Sequence, residues 1–415
     1  MAKGKERIVV GLDIGTTKIC TIIGEVDNQG EIDIIGLGLS PSHGLRKGVV
    51  IDLESTVESI KKSVHEAEIM AGVQVDSAYV GIAGGHIKGT NSRGVIAVSG
   101  KNREIIQADI NRVIDAAKAI ALPMDREVIH VLPQEYVIDG QDRIKQPLGL
   151  SGVRLEVEVH IITGAVASAQ NIIKCVSRAG LEVRDIILEQ LASSEATLML
   201  DEKELGIAVV DIGGGTTDIA MFVNGSIRHT AVISLGGDNF THDIAVGLRT
   251  PNREAEQIKK DYGCVLSSLL DERETVEVPT VGGRKARVMS RQVLAEIMEP
   301  RAEEIFGLVD REMKNSGYGD LIPAGVVITG GSSLMMGMIE ISEQIFDLPV
   351  RVGTPTGVGG LADVVKSPEY ATGVGLLLYG WRYGQKHAAP FRSQNDNHLF
   401  QNVLKRMKDW MRDFF

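Results

Sequence analysis

The sequence is poor in cysteine: Cys20, Cys175 and Cys264 are its three, far apart and at no metal-ligand spacing. A reduced, cytosolic compartment fits this usage best. No apolar run approaches the roughly 18 residues that a membrane-spanning helix requires. A secretory signal is also lacking, because the apolar stretch at 8–12 is too short and Asp13 follows it directly. These absences predict a soluble chain whose membrane contact would be peripheral. Positive charge is lacking too: the net charge is −11, so bulk attraction to nucleic acid is not expected, although a local basic patch stays possible. What is present, 415 residues with 43% hydrophobic and 24% charged, suffices for two or three packed cores and argues against wholesale disorder.

Along the chain, 8–13 reads as a strand, 14–17 as a glycine turn and 18–23 as a second strand. A third strand follows over 32–39, then a helix over 53–71 with Gly72 as its C-cap. The same unit returns: strand 207–211, glycine turn 212–216, strand 218–223, the hairpin turn Asn224-Gly225 and strand 227–235. Asp13 and Asp211 occupy the same place in the two copies, and two copies indicate two related lobes rather than a solenoid. Between them lies an insertion at 84–160, with strands expected at 94–98, 128–131 and 135–138 and a helix at 107–121. A polar linker containing Pro390 is expected at 384–398.

Asp13-Ile14-Gly15-Thr16-Thr17 could hold phosphate. Glycine lets backbone N–H groups approach the oxygens, threonine adds donors, and a carboxylate at the strand end suits hydrated Mg²⁺. Alone, it is equally a plain hairpin turn. The second copy, Asp211-Ile212-Gly213-Gly214-Gly215-Thr216-Thr217-Asp218, shifts the balance, because three glycines in a row weaken an ordinary strand pair but suit a backbone wrapped on phosphate. A third element, Val326-Val327-Ile328-Thr329-Gly330-Gly331-Ser332-Ser333, is a buried strand with a glycine pair opening a helix. Glycines there allow a base or ribose to pack on backbone.

This order of three loops resembles the actin, sugar-kinase and heat-shock-chaperone ATPase superfamily over residues 8–380. The resemblance implies an α/β fold: an actin-like two-lobed ATPase with two ribonuclease-H-like sheets, inserted subdomains and Mg-ATP in the cleft. It further implies nucleotide contacts from Asp13, Gly15, Thr16, Thr17 and Lys18 in the first loop. In the second lobe it implies Asp211, Gly213, Gly214, Gly215, Thr216, Thr217, Gly236 and Gly237, with Gly330, Gly331 and Ser332 in the third loop. Asp13 and Asp211 would serve the metal. Glu189 falls where the chaperones place a glutamate that positions the attacking water. Glu256 and Lys259 match a helix that reaches the ribose; by themselves they are equally a solvated i,i+3 pair.

No room exists after the third strand for the small subdomain of actin and the chaperones. The relocated insertion instead resembles the bacterial cell-division FtsA family, as do Gly48-Val49-Val50-Ile51-Asp52, Pro133-Gln134-Glu135-Tyr136, Leu150-Ser151-Gly152-Val153-Arg154, Lys259-Lys260-Asp261-Tyr262-Gly263 and Val281-Gly282-Gly283-Arg284. That resemblance divides the chain into lobe one (1–83, 161–196 and 365–383), the insert (84–160), lobe two (197–235 and 309–364) and its smaller subdomain (236–308). The linker (384–398) and an amphipathic helix (399–415) follow.

On a helical wheel of the last segment, Leu399, Phe400, Val403, Leu404, Met407, Trp410, Met411, Phe414 and Phe415 fall in one arc of about 160°. Polar residues, among them Lys405, Arg406, Lys408 and Arg412, fill the rest. Docking on the chain's own surface would also explain this pattern. The polar linker and the aromatic and basic content favour an interfacial helix, each basic residue contributing about 1 kcal/mol near an anionic surface.

The FtsA resemblance implies a filament-forming cell-division protein at the septum. It would sit on the cytoplasmic side of the inner membrane, tether the FtsZ C-terminal tail and help recruit later division proteins, with weak or no ATPase activity. The tail is expected on the smaller subdomain of lobe two near Arg301, which is equally a residue of a solvated helix face. A metabolite kinase of the same superfamily is the alternative, but no catalytic base for a small substrate is evident. A chaperone-type ATPase is a third, but no substrate-binding β-domain follows the core.

Overall fold

The computed structural model describes residues 7–280 and 285–384. The linker after Gly384, the amphipathic segment 399–415 and the loop 281–284 lie outside the described residues.

In lobe one, β1 (Ile8–Ile14), β2 (Lys18–Val26) and β3 (Ile32–Pro41) form an antiparallel meander. A short hairpin, β4 (Leu45–Arg46) and β5 (Val49–Val50), leads into α1 (Leu53–Ala71). The Asp52 carboxylate accepts from the Ser55 N–H to cap α1, and Gly72 closes it in the left-handed region. β6 (Ser77–Ile82) then pairs parallel to β1.

The insert holds β7 (Lys88–Ala97), α2 (Gln107–Lys118), β8 (Arg126–Ile138), β9 (Gln141–Ile144) and β10 (Arg154–Ala165), in the sheet order β7-β10-β8-β9. After α3 (Val166–Arg178), β11 (Glu182–Leu188) joins β6, and α4 (Glu189–Thr197) and α5 (Leu200–Leu205) cross to lobe two.

Lobe two repeats the meander with β12 (Ile207–Ile212), β13 (Thr217–Val223) and β14 (Ser226–Ile233). Its smaller part carries α6 (Gly237–Leu248), α7 (Asn252–Tyr262), β15 (Thr275–Val278), β16 (Arg287–Ser290) and α8 (Arg291–Asn315). Then β17 (Val326–Thr329) pairs parallel to β12, and α9 (Met338–Phe346) leads to β18 (Val350–Val352). The chain returns to lobe one through β19 (Gly359–Gly360) beside β3 and α10 (Ala371–Gly384), which packs on α4 and β1.

The sheet orders β11-β6-β1-β2-β3-β19 and β14-β13-β12-β17-β18 therefore share one plan: a meander whose first strand also pairs in parallel with a later one. Buried apolar strands drive both. Lobe two gathers Phe240, Phe306 and Phe346, the last two edge-on at 5.5 Å between ring centres. The insert has its own core around Ile110, Val113, Tyr136 and Val157.

Several local expectations change. The two strands expected at 128–131 and 135–138 are one strand, β8. Pro133 does not break it, because Val159 pairs with Pro133 and Glu158 with Glu135, leaving Gln134 in a bulge. The Gln134 side-chain amide donates from Nε2 to the Ile227 carbonyl of lobe two at 2.7 Å. Nearby, the His160 ring bridges Asn91 at 2.6 Å and Thr230 at 2.8 Å, so polar contacts tie the insert to β14. β7 begins at Lys88, earlier than expected, because it pairs with β10 along its whole length. Gly331 opens a single 3₁₀ turn, and the following α-helix begins only at Met338.

Candidate functional site

The hairpin turns of the two lobes face each other around a cavity of about 450 Å³. Lobe one supplies Asp13, Gly15, Thr16, Thr17 and Lys18; lobe two supplies Asp211, Gly213, Gly214, Gly215 and Thr216. The loops nearly touch: a Cβ on Gly214 would come within 2.3 Å of the Thr17 side chain, and one on Gly215 within 2.6 Å of the Thr16 hydroxyl. Only glycine permits this approach.

Of the remaining residues expected here, Gly237, Glu256, Lys259, Gly330, Gly331, Ser332 and Glu189 also line the cavity. Two do not. The Thr217 hydroxyl donates to the Leu235 carbonyl at 2.9 Å, behind the loop. The Gly236 N–H donates to the Asn239 side chain at 3.0 Å and serves the cap of α6. Strand alternation accounts for Thr217, since Thr216 and Asp218 share one side and Thr217 takes the other.

Four carboxylates meet here. Burial raises the Asp13 carboxyl above its ordinary range; Lys18 opposes this and Asp211 adds to it. Burial also raises Asp211, against hydrogen bonds from Thr372 and Ser193 and the charge of Lys18. Asp218 is pushed up to about 8, first by burial and then by Asp211, although the Thr216 hydroxyl donates to it at 2.8 Å. Glu189, the first residue of α4, is raised well above its ordinary value by burial and by Asp13, Asp218 and Asp211.

Lys18 is held by Glu369: its ammonium donates to the Glu369 carbonyl at 2.7 Å and pairs with the carboxylate at 3.0 Å. At the opposite end, Lys259 pairs with Glu256 at 2.7 Å and donates to the Gly237 carbonyl at 3.0 Å.

Asp218, Thr372, Glu369, Gly48 and Ala83 also line the cavity and were not read as site residues. Asp218 had a signal, its place opposite Asp211 in the repeated hairpin. Thr372 and Glu369 had none, because only the returning chain brings them near; the Thr372 hydroxyl donates to Asp211 at 3.0 Å.

Arg301 stands apart on α8. Asp243 holds its guanidinium at 2.7 and 3.1 Å, and Glu304 pairs with it as well. It borders a shallow groove with His242, Val246, Ile297 and Pro300.

The family model described as "Cell division protein FtsA" matches residues 208–375, and that described as "SHS2 domain inserted in FTSA" matches 84–163. The chain is 53% identical to the cell division protein FtsA of Pseudomonas aeruginosa over 412 residues, covering 99% of this chain and 98% of that protein. It is 42% identical to that of Escherichia coli over 426 residues, covering 100% of both.

Among solved structures, it resembles the PilM-PilN type IV pilus biogenesis complex at a TM-score of 0.67 and 16% identity, covering 90% of this chain and 98% of that one. It also resembles MreB5 of Spiroplasma citri bound to ADP at a TM-score of 0.54 and 16% identity, covering 90% and 96%. The same protein bound to AMPPNP matches at 0.55 and 16%, covering 91% and 97%. These likenesses make the fold actin-like. With curated relatives matched along nearly its whole length, the chain belongs to the FtsA family of cell-division proteins.

Proposed function

We propose that the cleft binds ATP with Mg²⁺ and that the chain assembles into actin-like filaments that tether FtsZ to the inner membrane. The observation that carries the nucleotide reading is the duplicated hairpin, which sets an aspartate and a glycine loop from each lobe around one cavity of ligand size. The nucleotide complexes of MreB5 support it. Backbone N–H groups of the glycine loops hold the phosphates, and the Glu256 and Lys259 end takes the ribose.

The donor set fits Mg²⁺. Among the described residues, no group of three or more His, Cys, Asp or Glu is arranged to hold a metal directly. Mg²⁺ commonly keeps several waters and takes one or two carboxylates plus phosphate oxygens. Asp13 and Asp211 are the two carboxylates in place for this. Asp218 leaves one buried oxygen without a hydrogen-bond partner, a group that a hydrated cation would satisfy. When bound, the cation neutralises phosphate charge. Glu189 then positions a water at the phosphate end. Binding of Mg-ATP, measured by isothermal titration with wild type and Asp211→Ala, tests this reading.

The membrane reading rests on the amphipathic pattern of Phe400, Val403, Leu404, Met407, Trp410, Met411, Phe414 and Phe415 against Lys405, Arg406, Lys408 and Arg412. Partners are anionic lipid, further copies of the chain, later division proteins and the FtsZ tail, with Arg301 and its groove as the docking place for the tail. Truncation after Gly384, or Trp410→Glu, is expected to abolish sedimentation with anionic vesicles. Full vesicle binding by the truncated chain would overturn the membrane reading.

A further inference from the structure

Among the described residues, three hairpins turn through two residues that both have positive φ, the type I′ geometry that matches strand twist. Two have the residues such turns favour: Asn224-Gly225 at φ +54 and +74, and Asp139-Gly140 at +50 and +92. The third, between β4 and β5, is Lys47-Gly48 at +50 and +75. A left-handed backbone costs a residue such as lysine roughly 1–2 kcal/mol; asparagine or aspartate tolerates it better. Arg103, Arg143 and Arg249 also keep positive φ elsewhere, so the strain at Lys47 gains meaning only from where this turn stands.

The place of this turn suggests a task for the side chain. Gly48 forms part of the cavity wall, and its N–H donates to the Thr16 hydroxyl at 3.1 Å. The Lys47 Cα lies 2.9 Å from where a Cβ on Gly215 would stand. A Cβ on Gly48 would itself meet Gly84 at 2.9 Å and Ala83 at 3.0 Å. The tip is thus wedged between both phosphate loops and the chain leaving β6.

Charge adds a second reason. The phosphate end holds Asp13, Asp211, Asp218 and Glu189, and a triphosphate would bring further negative charge. The wall lysines are already engaged: Lys18 with Glu369, and Lys259 and Lys260 with Glu256. Lys47 is exposed and, among the described residues, joins no ion pair. A lysine ammonium is a compact charge on a flexible four-carbon stem, suited to reach from this tip toward a phosphate.

We propose that Lys47 brings its ammonium to the terminal phosphate of a nucleoside triphosphate in the cleft, so that the hairpin distinguishes triphosphate from diphosphate. This rests on the nucleotide-binding reading above.

The test measures the affinity of the full-length chain for AMPPNP and for ADP, each with Mg²⁺, in wild type, Lys47→Asn and Lys47→Arg. Asparagine suits the left-handed turn and removes the charge. Lys47→Asn is expected to keep or raise the thermal midpoint, to weaken AMPPNP about tenfold, and to leave ADP within about twofold. Lys47→Arg should retain most of the AMPPNP affinity. Equal weakening of both nucleotides, or of neither, in Lys47→Asn would overturn the proposal while leaving the nucleotide reading intact. A wild type that bound neither nucleotide would overturn both.

Discussion

The hairpin of β1 and β2 and that of β12 and β13 turn at the same register. Asp13 stands opposite Cys20 and Asp211 opposite Asp218, with the next pairs Ile14 and Ile19, and Ile212 and Thr217. At one position lobe one has a thiol and lobe two a carboxylate, both buried. Burial drives the Cys20 thiol far above its ordinary range, so it stays neutral. At the matching place Asp218 is raised to about 8, and the Thr216 hydroxyl supports it. A shared backbone frame therefore sets where a group stands, and the residue at that place decides its hydrogen-bonding chemistry. Lobe two brings two aspartates to the phosphate end, and lobe one brings one aspartate and Lys18.

The strongest break of this asymmetry is Cys20→Asp. It buries a second carboxylate beside Asp13, where Lys18 rather than a hydroxyl residue matches Thr216. We expect a loss of about 1–3 kcal/mol of stability, the cost of a buried polar group left without a hydrogen-bond partner, read by urea unfolding at pH 8. An unchanged midpoint would show that the two positions are equivalent.

Next in size is Asp211→Ala, which should raise the dissociation constant for Mg-ATP more than about tenfold, or about 1.4 kcal/mol. Glu189→Ala should do less, because that side chain acts on water rather than on the metal. Asp211→Ala with wild-type ATP affinity would refute the assignment. Asp218→Asn keeps an acceptor for Thr216 and removes the titratable carboxyl, and titration should show a loss of about threefold. A loss as large as that of Asp211→Ala would mean that Asp218 contacts the metal directly.

A last test sharpens the comparison from outside the cleft. Glu127, on β8, is raised by burial from 4.5 to about 8, with no second carboxylate contributing. The folded state holds this proton more tightly than the unfolded chain, so the stability it contributes is fully present below about pH 4.5 and lost as pH rises through about 8. Glu127→Gln should therefore raise the thermal midpoint at pH 8.5 and leave it unchanged at pH 4. An equal shift at both would assign the effect to packing.

Much of this was legible because its causes are local. A run such as Ile207-Ala208-Val209-Val210 must be buried, three glycines after Asp211 must serve close approach, and Asn224-Gly225 must turn. Thr217 was expected to contact nucleotide, although strand alternation alone turns its side chain behind the loop. β8 was misread because proline usually ends a ladder, and only the partner strand β10 shows that a bulge at Gln134 absorbs it. Lys18 was read as a nucleotide contact and lines the cavity, while its tie to Glu369 depends on a chain segment that returns only near the end of the described residues.

The sequence by itself determined the two meanders, their aspartates and the glycine loops, because turn chemistry and burial pattern act over a few neighbouring residues. Only the tertiary structure decided which groups confront one another across the cleft, which lysines are already paired, and which carboxyls burial holds protonated. Desolvation and Coulomb interaction depend on distances between lobes, and no local pattern in the chain carries those distances.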